Sequence, residues 1–202
     1  HCIGCYTCWT KTPGKCVHKD DAEEITKKIY ASDCVIYASP LYHFDVYSGL
    51  KKYIERTLPV MYPYLVPHSA NKTTHPLREG YKTPYTVVIG VCGFPEITHF
   101  EVFSHFFHKL AQAGDGKIIA ELYKPASEIL NNPMFQQSND SVLSAFKKAG
   151  IELIHSGAIS ANLIEDIARI DFDIEEFRKQ ANMFWDVCIS EKKLPGQVQA
   201  EF

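Results

Sequence analysis

The first residues of this chain that can do chemistry are cysteines. Cys2, Cys5, Cys8 and Cys16 follow the spacing C-x2-C-x2-C-x7-C. Three thiols at intervals of three can wrap thiolates around a compact inorganic cluster while a fourth closes it from a loop, as in iron-sulfur centres. A tetrahedral zinc site suits this spacing less well, because zinc ligands more often come as two separated pairs. Buried or redox-active thiols are the plainer alternative. Tyr6 and Trp9, interleaved with the cysteines, can shield such a centre from water or pack against a neighbouring subunit. The other three cysteines, Cys34, Cys92 and Cys188, stand apart and read as small core residues.

A second group worth weighing is His99, His105 and His108, close together on one predicted helix. The offset of three between His105 and His108 makes them neighbours on the helix surface. With no acidic partner at ligand spacing, packing or polar capping is the reading for all three.

Composition bounds what this chemistry can serve. Four of the seven cysteines fall in the first sixteen residues, and in a reducing compartment such clustering points to metal or redox chemistry more than to structural disulfides. The net charge of -3, with both signs mixed along the chain, offers no broad positive field for a phosphate backbone, so nucleic acid is not an expected partner. No apolar run approaches the ~20 residues of a spanning helix, and the first residues show no secretion pattern. No membrane association and a cytoplasmic location are the expectations. Apolar residues at 46% and charged residues at 22% are enough for one sizeable core, so 202 residues are expected to form a single domain.

The elements that must position these residues alternate. A helix is predicted from Asp20 to Ala31, with Asp20 and Glu23 at capping-box spacing and Ile25 and Ile29 on one face. The run Cys34-Val35-Ile36-Tyr37-Ala38 reads as a buried strand, and a polar and aromatic loop from Ser39 to Ser48 follows it. A helix from Gly49 to Leu58 stops at Pro59. Residues 59–84 hold five prolines and no clear period, a long insertion suited to a lid or a subunit contact. A β-branched strand spans Tyr85 to Val91 and runs into Cys92-Gly93-Phe94-Pro95. The helix over 98–113 is closed by Gly114, with Phe100, Phe103, Phe106 and Phe107 as its core stripe. A third strand runs from Lys117 to Leu122. Helices fill 139–193, the last starting at Asp173 with Glu176 at capping-box spacing and Phe177, Ala181, Phe184, Trp185 and Cys188 as a buried stripe. The tail after Lys193 reads as frayed.

Strands alternating with helices imply a doubly wound parallel sheet in a three-layer α/β/α fold, whose ligands bind beyond the carboxyl ends of the strands. The loops at 39–48 and 92–96 lie there. No glycine-rich phosphate loop follows any of the strands, and three strands are few for so many helices.

The run Cys2-Ile3-Gly4-Cys5-Tyr6-Thr7-Cys8, then Lys11-Thr12-Pro13-Gly14-Lys15-Cys16, Asp20-Asp21, Ser39-Pro40-Leu41-Tyr42 and Ser48 to Arg56 together resemble the NAD(P)H-dependent FMN reductase and iron-sulfur flavoprotein family. These motifs cover about the first third of the chain. The resemblance implies a flavodoxin-like sheet of order 2-1-3-4-5, with the three strands read here as the third, fourth and fifth. On that alignment strands 1 and 2 are missing from this sequence, and the native chain is expected to be longer by about one βαβ unit of ~30 residues or more.

The resemblance further implies that Ser39, Pro40, Leu41, Tyr42 and His43 line one side of an FMN ring, and Cys92, Gly93 and Phe94 the other. Residue chemistry agrees with a flat, half-apolar ligand: Pro40 fixes the loop's approach, backbone amides can meet the ring's polar edge, and aromatic side chains offer stacking faces. Some members of the family hold a [4Fe-4S] cluster on such a cysteine motif, here Cys2, Cys5, Cys8 and Cys16. The implied activity is hydride transfer from NAD(P)H to FMN, then onward to a quinone, another flavin or a small redox substrate. Such chemistry lives in the cofactor and needs no side-chain triad. Electron exchange with ferredoxin through flavin and cluster is the alternative, a zinc-stabilised binding module without redox chemistry ranks below both, and a homodimer or homotetramer is implied for the assembly.

Overall fold

The computed structural model describes residues 1–68 and 72–199. The cysteine-rich segment contains one short helical turn, α1 (Thr7–Thr10), and leads to α2 (Ala22–Ala31). Strand β1 (Cys34–Tyr42) turns back into β2 (Asp45–Val46), which feeds α3 (Ser48–Glu55). The excursion that follows carries the hairpin β3 (Val66–His68) and β4 (Lys72–Thr74), with residues 69–71 outside the described part. Next come β5 (Tyr85–Val91), α4 (Glu101–Ala113) and β6 (Ile118–Lys124). Four helices close the chain: α5 (Gln136–Ser156), α6 (Ala161–Ala168), α7 (Ile174–Glu191) and α8 (Pro195–Gln199).

The main sheet has the order β2-β1-β5-β6, and the three long strands are parallel neighbours in the sequence of their occurrence. The crossovers put helices on both faces, so β5 is buried on both sides and its alternate residues feed two cores. Val87 points into one core, with Ala120, Leu122, Ala145, Ala149, Leu163 and Ile167 from β6, α5 and α6. Val88 points into the other, with Val46, Cys92, Phe100, Phe103 and Phe107. This is the three-layer parallel arrangement expected from the alternating pattern.

Several boundaries differ from the sequence reading. Strand β1 does not end at Ala38: Ser39 and Pro40 continue it beside Gly90 and Val91 of β5, and Leu41 and Tyr42 pair antiparallel with Val46 and Asp45. Pro40, which cannot donate to a ladder, is tolerated here because over 34–40 β1 has no outer neighbour among the described residues. Asp20 accepts a hydrogen bond from the Ala22 amide at 3.2 Å, yet the box with Glu23 does not form, since Glu23 binds Lys27 instead. At α7 the capping expectation holds, with Asp173 accepting from the Glu176 amide at 2.9 Å. The stripe of that helix is covered only in part: Cys188 is buried, whereas Trp185 stays half-exposed. Residues beyond Lys193 are not frayed as far as Val198, which is fully buried in α8.

The helix α4 is held to the sheet by more than its phenylalanines. Glu121 on β6 accepts hydrogen bonds from Ser104 Oγ at 2.7 Å, His108 Nε2 at 3.1 Å and the Tyr123 hydroxyl at 2.5 Å. Burial pushes this carboxyl's pKa up, but the donors from Tyr123, Ser104 and His108 outweigh it and the net shift is downward. A carboxyl with a lowered folded pKa stabilises the fold above its unfolded value, and that contribution is lost as pH falls through the folded value. Glu121→Gln is therefore expected to cost about 1–3 kcal/mol at neutral pH. In urea unfolding, the gap between variant and parent should close as the pH is taken down through the acid range.

Candidate functional site

Two groups of residues identified in the sequence are brought together by the fold, in two separate places. The first is the carboxyl edge of the sheet. Ser39 is buried, and its hydroxyl accepts from the Tyr47 amide at 3.2 Å, tying the outgoing strand to the returning one. Between them the turn is His43-Phe44, and both residues have positive φ, 48° and 66°. The type I′ form of a two-residue hairpin needs positive φ at both central residues, and a phenylalanine adopts it rarely. The strain aims Phe44 across to the neighbouring strand end.

There it meets His99, whose ring lies 5.7 Å from that of Phe44 and 4.6 Å from that of Phe94. The two strand-end loops are thus bridged by Phe44, His99 and Phe94. His99 Nε2 lies 3.4 Å from Glu96 Oε2. Glu96 in turn receives Arg178 of α7, and this bond is the main cause that lowers its pKa. Tyr42, Phe44 and Phe94 are all about half-exposed or more, so the edge presents an open aromatic rim.

Pro40 and Leu41 lie half-buried at the end of β1, and Gly93 is exposed beside Glu128. Cys92 is part of the core, its thiol directed at the Phe94 carbonyl and its pKa raised chiefly by burial. Sequence reasoning assigned His99 to packing or capping. The signal available was its place in the loop-to-helix segment after Phe94, three residues from an acid. His108 pairs with Glu121. A polar cleft of about 710 Å³ lies elsewhere, between α5 and α6, lined by Ser138, Ser141, Lys148, Asp166, Arg169 and Asp171.

The second place is the N-terminal segment. Gly4 and Tyr6 have positive φ, 65° and 53°, and these two reversals curl the chain so that Cys2, Cys5, Cys8 and Cys16 line one small cavity. The Gly4 amide points at Cys2 Sγ, 3.5 Å away. Burial is the first cause that raises the Cys8 pKa, with Cys16 next. Hydrogen bonds from Thr7 lower that of the exposed Cys5. Among the described residues no group of three or more His, Cys, Asp or Glu side chains is placed to hold a metal ion. Four thiols lining one cavity are the donor set that a thiolate-held cluster would use.

The insertion at 59–84 packs against this segment. Trp9 Nε1 donates to the Leu58 carbonyl at 3.1 Å and its ring contacts His75 at 4.8 Å. Arg78 donates to the carbonyls of Pro59 and Cys8, at 2.9 and 3.4 Å, with its guanidinium over the Tyr62 ring. Farther on, Thr74 and Thr83 anchor the excursion to the carbonyls of Ala113 and Gly114 at the end of α4.

The cysteine segment and the β1 side of the rim fall within one stretch of the chain that has recognisable relatives, whereas Phe94, Glu96 and His99 lie outside it. Residues 3–73 match the NADPH-dependent FMN reductase family. The family resemblance read from the cysteine and strand motifs is borne out by that match. Among curated proteins, an iron-sulfur flavoprotein of Archaeoglobus fulgidus is 44% identical over 59 residues, covering 29% of this chain and 26% of that protein. An iron-sulfur flavoprotein of Methanocaldococcus jannaschii is 42% identical over 59 residues, 29% of this chain and 30% of the relative. These matches span between a quarter and a third of the relatives' length. A crystal structure of the azoreductase AzrA aligns with 61% of this chain and 56% of that one, at 13% identity and a TM-score of 0.40. No helix among the described residues is long and apolar enough to cross a membrane.

Proposed function

We propose that this chain is part of an FMN-dependent oxidoreductase that takes hydride from NAD(P)H and passes electrons to a quinone, a flavin or another small redox acceptor. The observation that carries this reading is the aromatic bridge of Phe44, His99 and Phe94, which joins the two strand-end loops into one rim where doubly wound sheets bind their ligands. Flat faces of half-exposed rings favour an isoalloxazine, and backbone amides of the rim can meet its polar edge. Bound FMN would supply the hydride and single-electron chemistry; the chain's residues hold the ring, keep the nicotinamide or acceptor in stacking register and exclude water. A homodimer or homotetramer would further cover the open rim, and the cytoplasm is the expected location.

Titration of the protein with FMN, followed by flavin fluorescence, tests the reading. Stacking contributes about 0.5–1.5 kcal/mol per ring, so a variant with both Phe44→Ala and Phe94→Ala should bind FMN about tenfold more weakly or worse. Retention of FMN at unchanged affinity in that variant would place the flavin elsewhere. Failure of the parent protein to bind or reduce FMN with NAD(P)H would remove the redox reading altogether.

A second reading has its own observation: all four N-terminal cysteines line one cavity. It makes the protein an iron-sulfur flavoprotein, with a [4Fe-4S] cluster held by Cys2, Cys5, Cys8 and Cys16 and electrons exchanged with ferredoxin. Iron and acid-labile sulfide in equal amounts, with an absorbance shoulder near ~400 nm, are the expected result. A colourless protein with stoichiometric zinc would replace this reading by the non-redox one.

A further inference from the structure

One cation is buried in the wall of the cysteine cavity. The side chain of Arg56, from the end of α3, is only 8% exposed and lines the same cavity as the four thiols. Two of its nitrogens are engaged: Nη1 and Nη2 fork onto the two oxygens of Asp20 at 2.9 and 3.0 Å. Its third, Nε, is buried and has no hydrogen-bond partner among the described residues. An unmade hydrogen bond on a buried charged donor costs free energy. Such a donor on the wall of a thiol-lined cavity calls for an acceptor inside it. The Cys16 side chain stands beside this guanidinium, the sulfur nearest to it in the lining. Glu55 and His18 complete the polar part of the lining.

We propose that Arg56 is the counter-charge of a thiolate-held iron-sulfur cluster in this cavity, donating through Nε to a sulfur of the assembly, and that Asp20 moderates this charge from behind. The inference rests on the cluster reading above. A cluster held here would take up one electron from reduced flavin with no bond to the protein formed or broken and no proton moved, so the assembly would gain one negative charge. A fixed cation in a water-poor wall stabilises that added charge, and hydrogen bonds to cluster sulfurs raise a cluster's potential. Arg56 therefore favours the reduced form, while Asp20, on the far side of the guanidinium and 42% exposed, opposes it weakly.

The test is a redox titration of the reconstituted protein, with iron and sulfide measured on each sample. Arg56→Met should disfavour reduction about tenfold, read as a midpoint lower by about 59 mV for a one-electron couple. Asp20→Asn should move the midpoint the other way, by a smaller factor. Arg56→Lys, which keeps the charge and loses the Nε donor, should fall between Arg56→Met and the parent. A merely structural role of the Arg56-Asp20 pair would give variants that lose cluster or stability together, with an unchanged midpoint in whatever cluster remains, and that result overturns the proposal. Should Arg56→Met not fold, the opposed shifts of Arg56→Lys and Asp20→Asn decide. If the parent itself takes up no iron and sulfide, the cluster reading fails and this one with it; if it is loaded and the midpoints do not move, only the role of Arg56 falls.

Discussion

If the N-terminal cysteines hold the proposed cluster, iron bound per chain should drop in Cys8→Ser from about four atoms to near none, with the folded structure retained. Cys8 is the buried member of the four. A serine hydroxyl in its place would stay protonated and would not bind iron as a thiolate does. The contacts that organise this turn use the backbone of residue 8 rather than its sulfur: its carbonyl accepts from the Gly14 amide at 2.9 Å and from Arg78 at 3.4 Å. The far-ultraviolet circular dichroism should therefore match the parent's while the visible colour disappears. Burial raises the Cys8 pKa, and binding must displace that proton, so loading of the parent should weaken as the pH is lowered. Cys34→Ser, made on β1 outside the cavity, should keep its iron. A Cys8→Ser protein that still carries a full cluster would show that the N-terminal thiols do not hold one.

Phe103→Ala is expected to have the largest effect on stability, about 3–5 kcal/mol. Its side chain is fully buried, with ring centroids of Phe107, Tyr123 and Phe100 at 5.1, 6.0 and 6.2 Å. The neighbours cannot easily fill the space left behind. Phe100 is stacked on Tyr123 at 4.7 Å and sits over Gly90, where an added Cβ would meet its ring at 2.8 Å. That glycine is the place where the rings approach the sheet most closely, so the aromatic layer is already pressed against the backbone. Urea unfolding should show the loss as a lower midpoint with a similar slope. Because Cys92, Gly93 and Phe94 continue directly from β5, flavin affinity should decline with it. An unchanged midpoint would mean that this layer contributes little.

The strands were legible because a parallel sheet covered on both faces requires short runs such as Val87-Val88-Ile89, and only a few such runs exist in the chain. Their order, β1-β5-β6, is the one that the resemblance implied for the third, fourth and fifth strands. The extension of β1 to Tyr42 was hidden because its cause is the tight turn at His43-Phe44, and neither residue belongs to the types that normally signal positive φ. Trp185 was misjudged because a stripe at helical spacing tells which side of α7 is apolar, not whether anything covers it. The meeting of Arg56 with Asp20 across 36 positions is a tertiary event without a local trace. The cysteine spacing did foretell that the four thiols meet, since four within sixteen residues can hardly avoid one another, and they line one cavity. Its neighbour Arg78, seventy positions from Cys8, could not be read in the same way.

The uncovered side of β1 has a consequence for handling the protein. Ile36 is more than half-exposed, and over 34–40 the main chain of β1 has no ladder partner on its outer side among the described residues; such a margin is a template on which another polypeptide can add a strand. Solutions of this chain should therefore scatter more light as concentration rises. Salt, which weakens charge attraction, should not reverse it, whereas a lysine at position 36 should delay its onset.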